Sequence, residues 1–227
     1  MIMMSSSMMQ KHKVAVFDLD DTLYKEVDFL KSAYREIADL AEKEYGCQDV
    51  YDKMITWWKA GENVFEHLIS AYRLDFSTNE LLEIYRKHFP QICLDEETRK
   101  VIIQLRKTCK MGIVSDGRSL TQRNKINALG LSEFLDWSDI YISDEVGHLK
   151  TTPYSFEKIM AAYPECQYLY VGDNPAKDFL VPNRLGWMTV CVLDNGQNIH
   201  PQDFTLPVEY LPQRKIKDIT ELLEIIN

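Results

Sequence analysis

Asp18, Asp20 and Thr22 occupy alternate positions in Val-Ala-Val-Phe-Asp-Leu-Asp-Asp-Thr-Leu-Tyr, where a short apolar run ends. The run at 14–17 is too short for a helix and rich in β-branched and aromatic residues, so it predicts a buried strand. Side chains alternate faces along an extended chain, which lets Asp18 and Asp20 share one face, with Thr22 close behind as the backbone turns. Two like charges this close are costly unless a cation lies between them or one carboxyl keeps its proton. The pair therefore points to metal-assisted or acid–base chemistry. The competing reading is structural: a strand, an acidic turn and a helix cap.

Three more polar clusters follow apolar runs: Ser115-Asp116-Gly117, Lys150 in Gly-His-Leu-Lys, and Gly172-Asp173 with Asp178 five residues on. Each has a bland reading. Ser115 could cap a helix beginning near 120, Lys150 could be a solvated lysine, and Asp173 and Asp178 could be turn and helix-start acids. His148 reads as a loop residue. In open α/β sheets, however, ligands bind beyond the carboxyl ends of the strands, and four strand-end clusters in one chain favour a shared site.

The elements that must carry these groups are legible from periodicity. Strands are predicted at 14–17, 111–114, 140–142, 168–171 and 188–192. Helices are predicted at 99–106, 120–129, 154–162, 176–185 and 219–226, the alternation of an α/β, Rossmann-like parallel sheet covered on both faces. Residues 27–92 carry almost no strand signal and read as amphipathic helices: one through Phe29 to Ala41 ending near Gly46, then 50–59, 64–72 and 78–89. The simplest division is a tail at 1–12, a core built from 13–24 and 94–227, and an inserted helical cap at 25–93. Residues 194–213 read as loop and short edge structure.

The whole chain sets broad bounds. Its 227 residues, 45% hydrophobic and 27% charged, can bury a substantial core. A net charge of −9 disfavours nonspecific attraction to nucleic acid or anionic membrane. Five cysteines without a C-x-x-C pair suit a reducing compartment, and Cys109 and Cys191 in apolar runs read as core. With no signal-peptide pattern and no stretch of transmembrane length, a cytoplasmic protein is expected.

In this combination the chain resembles the haloacid dehalogenase-like hydrolase superfamily over nearly all of residues 13–227. The motifs are Asp18-Leu19-Asp20-Asp21-Thr22, Ser115, Lys150, and Gly172-Asp173 with Asp178, and the helical block falls where one branch carries an α-helical cap. The resemblance implies that Asp18 is the nucleophile, forming an aspartyl-phosphate, and that Asp20 is the acid and then the base. It also implies Mg²⁺ held by Asp18, the backbone carbonyl of Asp20 and Asp173, with Asp178 behind these ligands or reaching the ion through water. Thr22, Ser115, Asp116, Gly117 and Lys150 would surround the substrate phosphate. The chain departs from the family pattern in having Asp116 where Asn is common, and Thr151 and Thr152 between Lys150 and Pro153.

An acid at Asp20 favours phosphate-ester hydrolysis over carbon–halogen cleavage, because only the former must protonate its leaving group. The expected activity is Mg²⁺-dependent hydrolysis of a small phosphorylated metabolite, by a monomer or homodimer with no nucleic-acid or membrane partner. A phosphotransferase or mutase on the same core, and a non-catalytic phosphate-binding module, are the alternatives. Phosphonate hydrolysis through cap lysines Lys53 or Lys59 ranks lower. Tyr24 and Lys25, at the cap entrance, are expected near the pocket; Trp57, Trp58 and Arg118 are weaker candidates.

Overall fold

The computed structural model describes residues 12–226. The tail expected at 1–12 therefore lies, apart from His12, outside the described residues.

The chain begins with β1 (Lys13–Phe17) and then runs through four helices, α1 (Glu26–Tyr45), α2 (Val50–Lys59), α3 (Val64–Tyr72) and α4 (Thr78–Lys87). It continues as α5 (Glu96–Leu105), β2 (Cys109–Ser115), α6 (Ser119–Ala128), β3 (Ile140–Ile142), α7 (Ser143–Val146) and α8 (Tyr154–Ala162). The remainder is β4 (Gln167–Gly172), α9 (Pro175–Asp178), α10 (Leu180–Arg184), β5 (Met188–Val192), β6 (Arg214–Ile216) and α11 (Leu222–Ile226).

The strands form one parallel sheet of order β3-β2-β1-β4-β5-β6. The α/β class and the helical insertion match the expectation. β1 lies at the centre, and its side chains alternate between two cores. Ala15 and Phe17 face the cluster containing Ile102, Ile126 and Leu222, while Val14 and Val16 face the one containing Phe156, Trp187 and Cys191. A strand buried on both faces reads as an unbroken apolar run, which is why 14–17 was legible. Cys109 and Cys191 are buried, and all five cysteines are free thiols. No helix among the described residues is long and apolar enough to cross a membrane.

Helices α1–α4 have a core of their own, with Leu30, Ile37, Val50, Met54, Leu68 and Leu81 buried together. Their ends follow local chemistry. Gly46 takes the left-handed φ of 67° that stops α1, its N–H bonded to the Glu42 carbonyl. Ser77 and Glu80 form a reciprocal capping box that starts α4.

Two of the expected helices differ from the sequence reading, which also does not anticipate the short elements α7 and β6. The helix expected at 176–185 is two short pieces, α9 and α10, joined at Phe179. Pro182 has no N–H to bond the Asp178 carbonyl, so a continuous helix would lose a rung there. Likewise 219–226 begins as a tight 3₁₀ turn at Ile219–Glu221, capped by Asp218, before α11.

Candidate active site

The site is built where β1, β2 and β4 end. The Asp18 N–H donates to the Val171 carbonyl at 2.8 Å, prolonging the β1–β4 pairing by one step and fixing Asp18 at the strand tip. The chain then coils, with Leu23 N–H bonded to Leu19 C=O at 3.1 Å, through Asp21 at φ 55°. Asp21 is one of the few residue types that tolerate this left-handed conformation. Its carboxylate accepts the Glu26 N–H at the start of α1 (3.0 Å) and the Ile199 N–H from the loop after β5 (3.1 Å).

Asp18 is 4% exposed. Its Oδ2 meets the Lys150 ammonium at 2.8 Å, and Lys150 also reaches Asp178 Oδ1 at 2.7 Å. Asp178 is fully enclosed: its Oδ2 accepts the N–H groups of Asp173 (3.1 Å) and Asn174 (2.7 Å), and its Oδ1 the Tyr170 hydroxyl (3.3 Å). A Cβ on Gly172 would stand 2.6 Å from Asp178 Oδ2, so only glycine lets β4 pass this close.

Carboxylate oxygens of Asp18, Asp173 and Asp178 lie within 4.8 Å of one another. Burial, against the pull of Lys150, raises the Asp18 carboxyl to about 7. Burial and the charges of Asp178 and Asp18 raise Asp173 to about 9. Burial alone would lower Lys150, but Asp178 and Asp18 outweigh it and hold the ammonium protonated. Three hard oxygen donors with one ammonium between them leave excess negative charge, a donor set that fits a small divalent cation such as Mg²⁺. The Asp20 carboxylate stands outside this trio and has other partners.

Those partners clamp it. Asp20 Oδ1 accepts the Lys125 ammonium at 2.7 Å and the Tyr24 hydroxyl, and Oδ2 accepts Gln122 Nε2 at 3.0 Å. Burial pushes Asp20 up, but the Lys125 charge and these hydrogen bonds outweigh it and hold the carboxyl below its ordinary range. Gln122 Nε2 also donates to Ser115 Oγ at 2.7 Å, tying the first two motifs together.

A small cavity of about 130 Å³ is lined by Asp18, Asp20, Asp21, Glu26, Asp116, Lys150, Asp173, Asn174, Lys177 and His200. It is well below the size of drug-like ligand sites. Ser115 and Thr22 are buried, and the Thr22 hydroxyl has no partner. Asp116, the unexpected acid, accepts the Lys150 N–H at 2.8 Å and so orders the backbone carrying that lysine. The Gly117 N–H is directed to Ser143 Oγ at 3.0 Å, and Gly117 does not line the cavity. His148 stacks on Tyr154 at 4.2 Å, in keeping with a loop role.

Sequence reasoning passed over Gln122, Lys125, Glu26 and Asn198. Gln122 and Lys125 are one turn apart on a helix that follows a motif strand, and that i,i+3 spacing is the signal that could have found them. Glu26 begins α1 and lines the cavity; burial and the Asp20 charge raise its carboxyl to about 7. Asn198 comes from a loop with no periodic signal. It donates to Asp173 Oδ2 at 3.1 Å and accepts the Lys25 ammonium at 2.8 Å.

The family model described as haloacid dehalogenase-like hydrolase matches residues 15–192. The chain is 26% identical to the glyceraldehyde 3-phosphate phosphatase of Methanocaldococcus jannaschii over 231 residues, 95% of this chain and 97% of the relative. It is 29% identical to the Pyrococcus furiosus protein of the same name over 211 residues, 80% of this chain and 81% of the relative. Among solved structures, the magnesium-bound HAD-hydrolase YfnB of Bacillus subtilis is similar in fold, with a TM-score of 0.64 at 20% identity, covering 96% of this chain and all of that one. The HAD phosphatase of Thermococcus onnurineus gives 0.58 at 20% identity, covering 95% and 98%.

Proposed function

Because the chain belongs to the haloacid dehalogenase-like hydrolases, we propose that it is a Mg²⁺-dependent phosphatase of small phosphomonoesters that works through an acyl-phosphate on Asp18. The observation that carries the reading is the pairing of two carboxylates in different surroundings. Asp18 is buried against Lys150 and two further acids. Asp20, two residues on, is clamped separately by Lys125, Tyr24 and Gln122. Two acids kept in such unlike environments suit two different roles.

The Asp18 carboxylate attacks phosphorus as the bond to the leaving oxygen breaks, and Asp20 gives that oxygen its proton. Asp20 then takes a proton from water as the water oxygen attacks phosphorus, and Asp18 is released. Lys150 holds the phosphoryl group against Asp18 and offsets its charge. Entry of a phosphate dianion opposes Lys125 and raises the proton affinity of Asp20, which readies it as the acid. Asp18, Asp173 and the Asp20 carbonyl would hold Mg²⁺, with Asp178 behind them or reaching it through water, and the ion when bound supplies positive charge against the phosphoryl oxygens.

The small cavity favours a short substrate, and the activity named for the curated relatives makes glyceraldehyde 3-phosphate the first ester to test. Phosphate release from it and from other small esters should require Mg²⁺, and should fall about a thousandfold or more in Asp18→Asn. Undiminished turnover in Asp18→Asn, or with the metal chelated, would remove the mechanism.

A further inference from the structure

Lys125 is a buried cation whose only part in the scheme above is the charge that the incoming phosphate opposes. It is 3% exposed, its ammonium 2.7 Å from Asp20 Oδ1 and 4.3 Å from the centre of the Phe29 ring on α1. An ammonium is costly to bury unless it is paired. Here the partners come from two directions: Asp20 from the sheet end, and an aromatic face from the helical block. The same helix, α6, also grips the exit of that block. Thr121 Oγ1 donates to the Arg86 carbonyl at 2.8 Å, and Asn124 Nδ2 to the carbonyls of Lys87 (3.2 Å) and His88 (3.1 Å). One helix therefore holds the cap through Thr121 and Asn124, and the acid through Gln122 and Lys125.

We propose that Lys125 is a positioning residue for proton transfer, seated under Phe29 and orienting the Asp20 carboxyl toward the leaving oxygen when the helical block is packed on the core. This rests on the phosphatase reading. It also makes that reading more specific, because in the step that breaks the ester bond only substrates whose leaving oxygen needs a proton depend on Lys125. As the Asp18–phosphorus bond forms and the ester bond breaks, the alkoxide of glyceraldehyde 3-phosphate takes the Asp20 proton. Acetyl phosphate instead releases acetate, a stable anion that takes none. Both molecules are small.

The test measures kcat/KM for both substrates with Mg²⁺ in the parent, Lys125→Met, Lys125→Arg and Phe29→Leu. This parameter stops at the first irreversible step, so the later activation of water does not enter. The ratio of glyceraldehyde 3-phosphate to acetyl phosphate should fall at least about tenfold in Lys125→Met and return to within about threefold of the parent in Lys125→Arg. Phe29→Leu keeps the ion pair but loses the ring, and should lower the ratio in the same direction; this guards against poor folding of the methionine variant. A ratio unmoved in both Lys125→Met and Phe29→Leu, with an active parent, overturns the inference alone. A parent that releases no phosphate from the alkyl ester overturns the phosphatase reading and this inference together.

Discussion

At the scale of single residues, Gly172 is the position where one methyl group reaches furthest. The Cβ of an alanine there would press on Asp178 Oδ2 and Cγ at 2.6 and 2.7 Å. Asp178 cannot retreat, since it holds Lys150 on one oxygen and the Asp173 and Asn174 amides on the other. Gly172→Ala should therefore cost about 1–3 kcal/mol in denaturant unfolding. It should also weaken Mg²⁺ binding measured by calorimetry, because Asp173 moves with Asp178. Unchanged metal affinity would count against the trio as the cation site. Asp21 makes the complementary point. Its left-handed backbone looks better suited to glycine, yet its two carboxylate oxygens join the start of α1 to the loop after β5.

At the scale of elements, the loop between β5 and β6 joins the core, the cap entrance and the trio of buried acids. Asp194 Oδ1 accepts the N–H groups of Gly196, Gln197 and Asn198, at 2.7, 3.0 and 3.0 Å. That turn presents Asn198 to Asp173 and Lys25. Asp194→Ala should speed amide exchange at 196–198 and lower Mg²⁺ affinity, while leaving exchange in β1 and β4 unchanged; slow exchange retained at those amides would refute this. The same loop marks the limit of what the sequence conveys. The buried strands β1, β3 and β5 and the amphipathic helices α2, α3 and α8 follow from periodicity, because each buries a fixed face. Asp18, Asp20 and Asp173 were legible as strand-end polar groups, whereas Lys150, which the structure places after α7 rather than at the end of β3, was legible only as part of the motif series. Asn198 was not legible, since its partners are remote in sequence and a lone Asn carries no period, and for Gln122 and Lys125 the i,i+3 spacing marks a shared helix face but not the partners it meets. The break at Pro182 was available from proline chemistry alone but was outweighed by the apolar pattern around it.

At the scale of the whole molecule, the buried acids set a pH dependence. Asp18 and Glu26 at about 7 and Asp173 at about 9 all lie above the ordinary range near 4. Between those limits the folded chain binds more protons than the unfolded one, so this contribution to stability declines as pH rises from about 4 to about 9. Melting of the metal-free protein should thus move to lower temperature between pH 5 and 9. Mg²⁺ binds the deprotonated acids, so its stabilisation should grow over the same interval, reaching about 5–10 °C at a hundredfold excess over Kd. A metal-free melting temperature that climbs with pH would contradict the charge balance described here.

The strand order also bears on how the chain assembles. β1 is made first but sits at the middle of the sheet, and neither neighbour exists until the chain has passed Cys109 for β2 and Gln167 for β4. At common rates of synthesis the wait for β2 alone is roughly 5–20 s. During that interval the emerging chain is the helical block, whose contacts are local and whose apolar core is its own. The cap can thus fold while the strand that leads into Asp18 is still unpaired, and Asp18, Lys150, Asp173 and Asp178 come together only after more than two thirds of the polypeptide has been made.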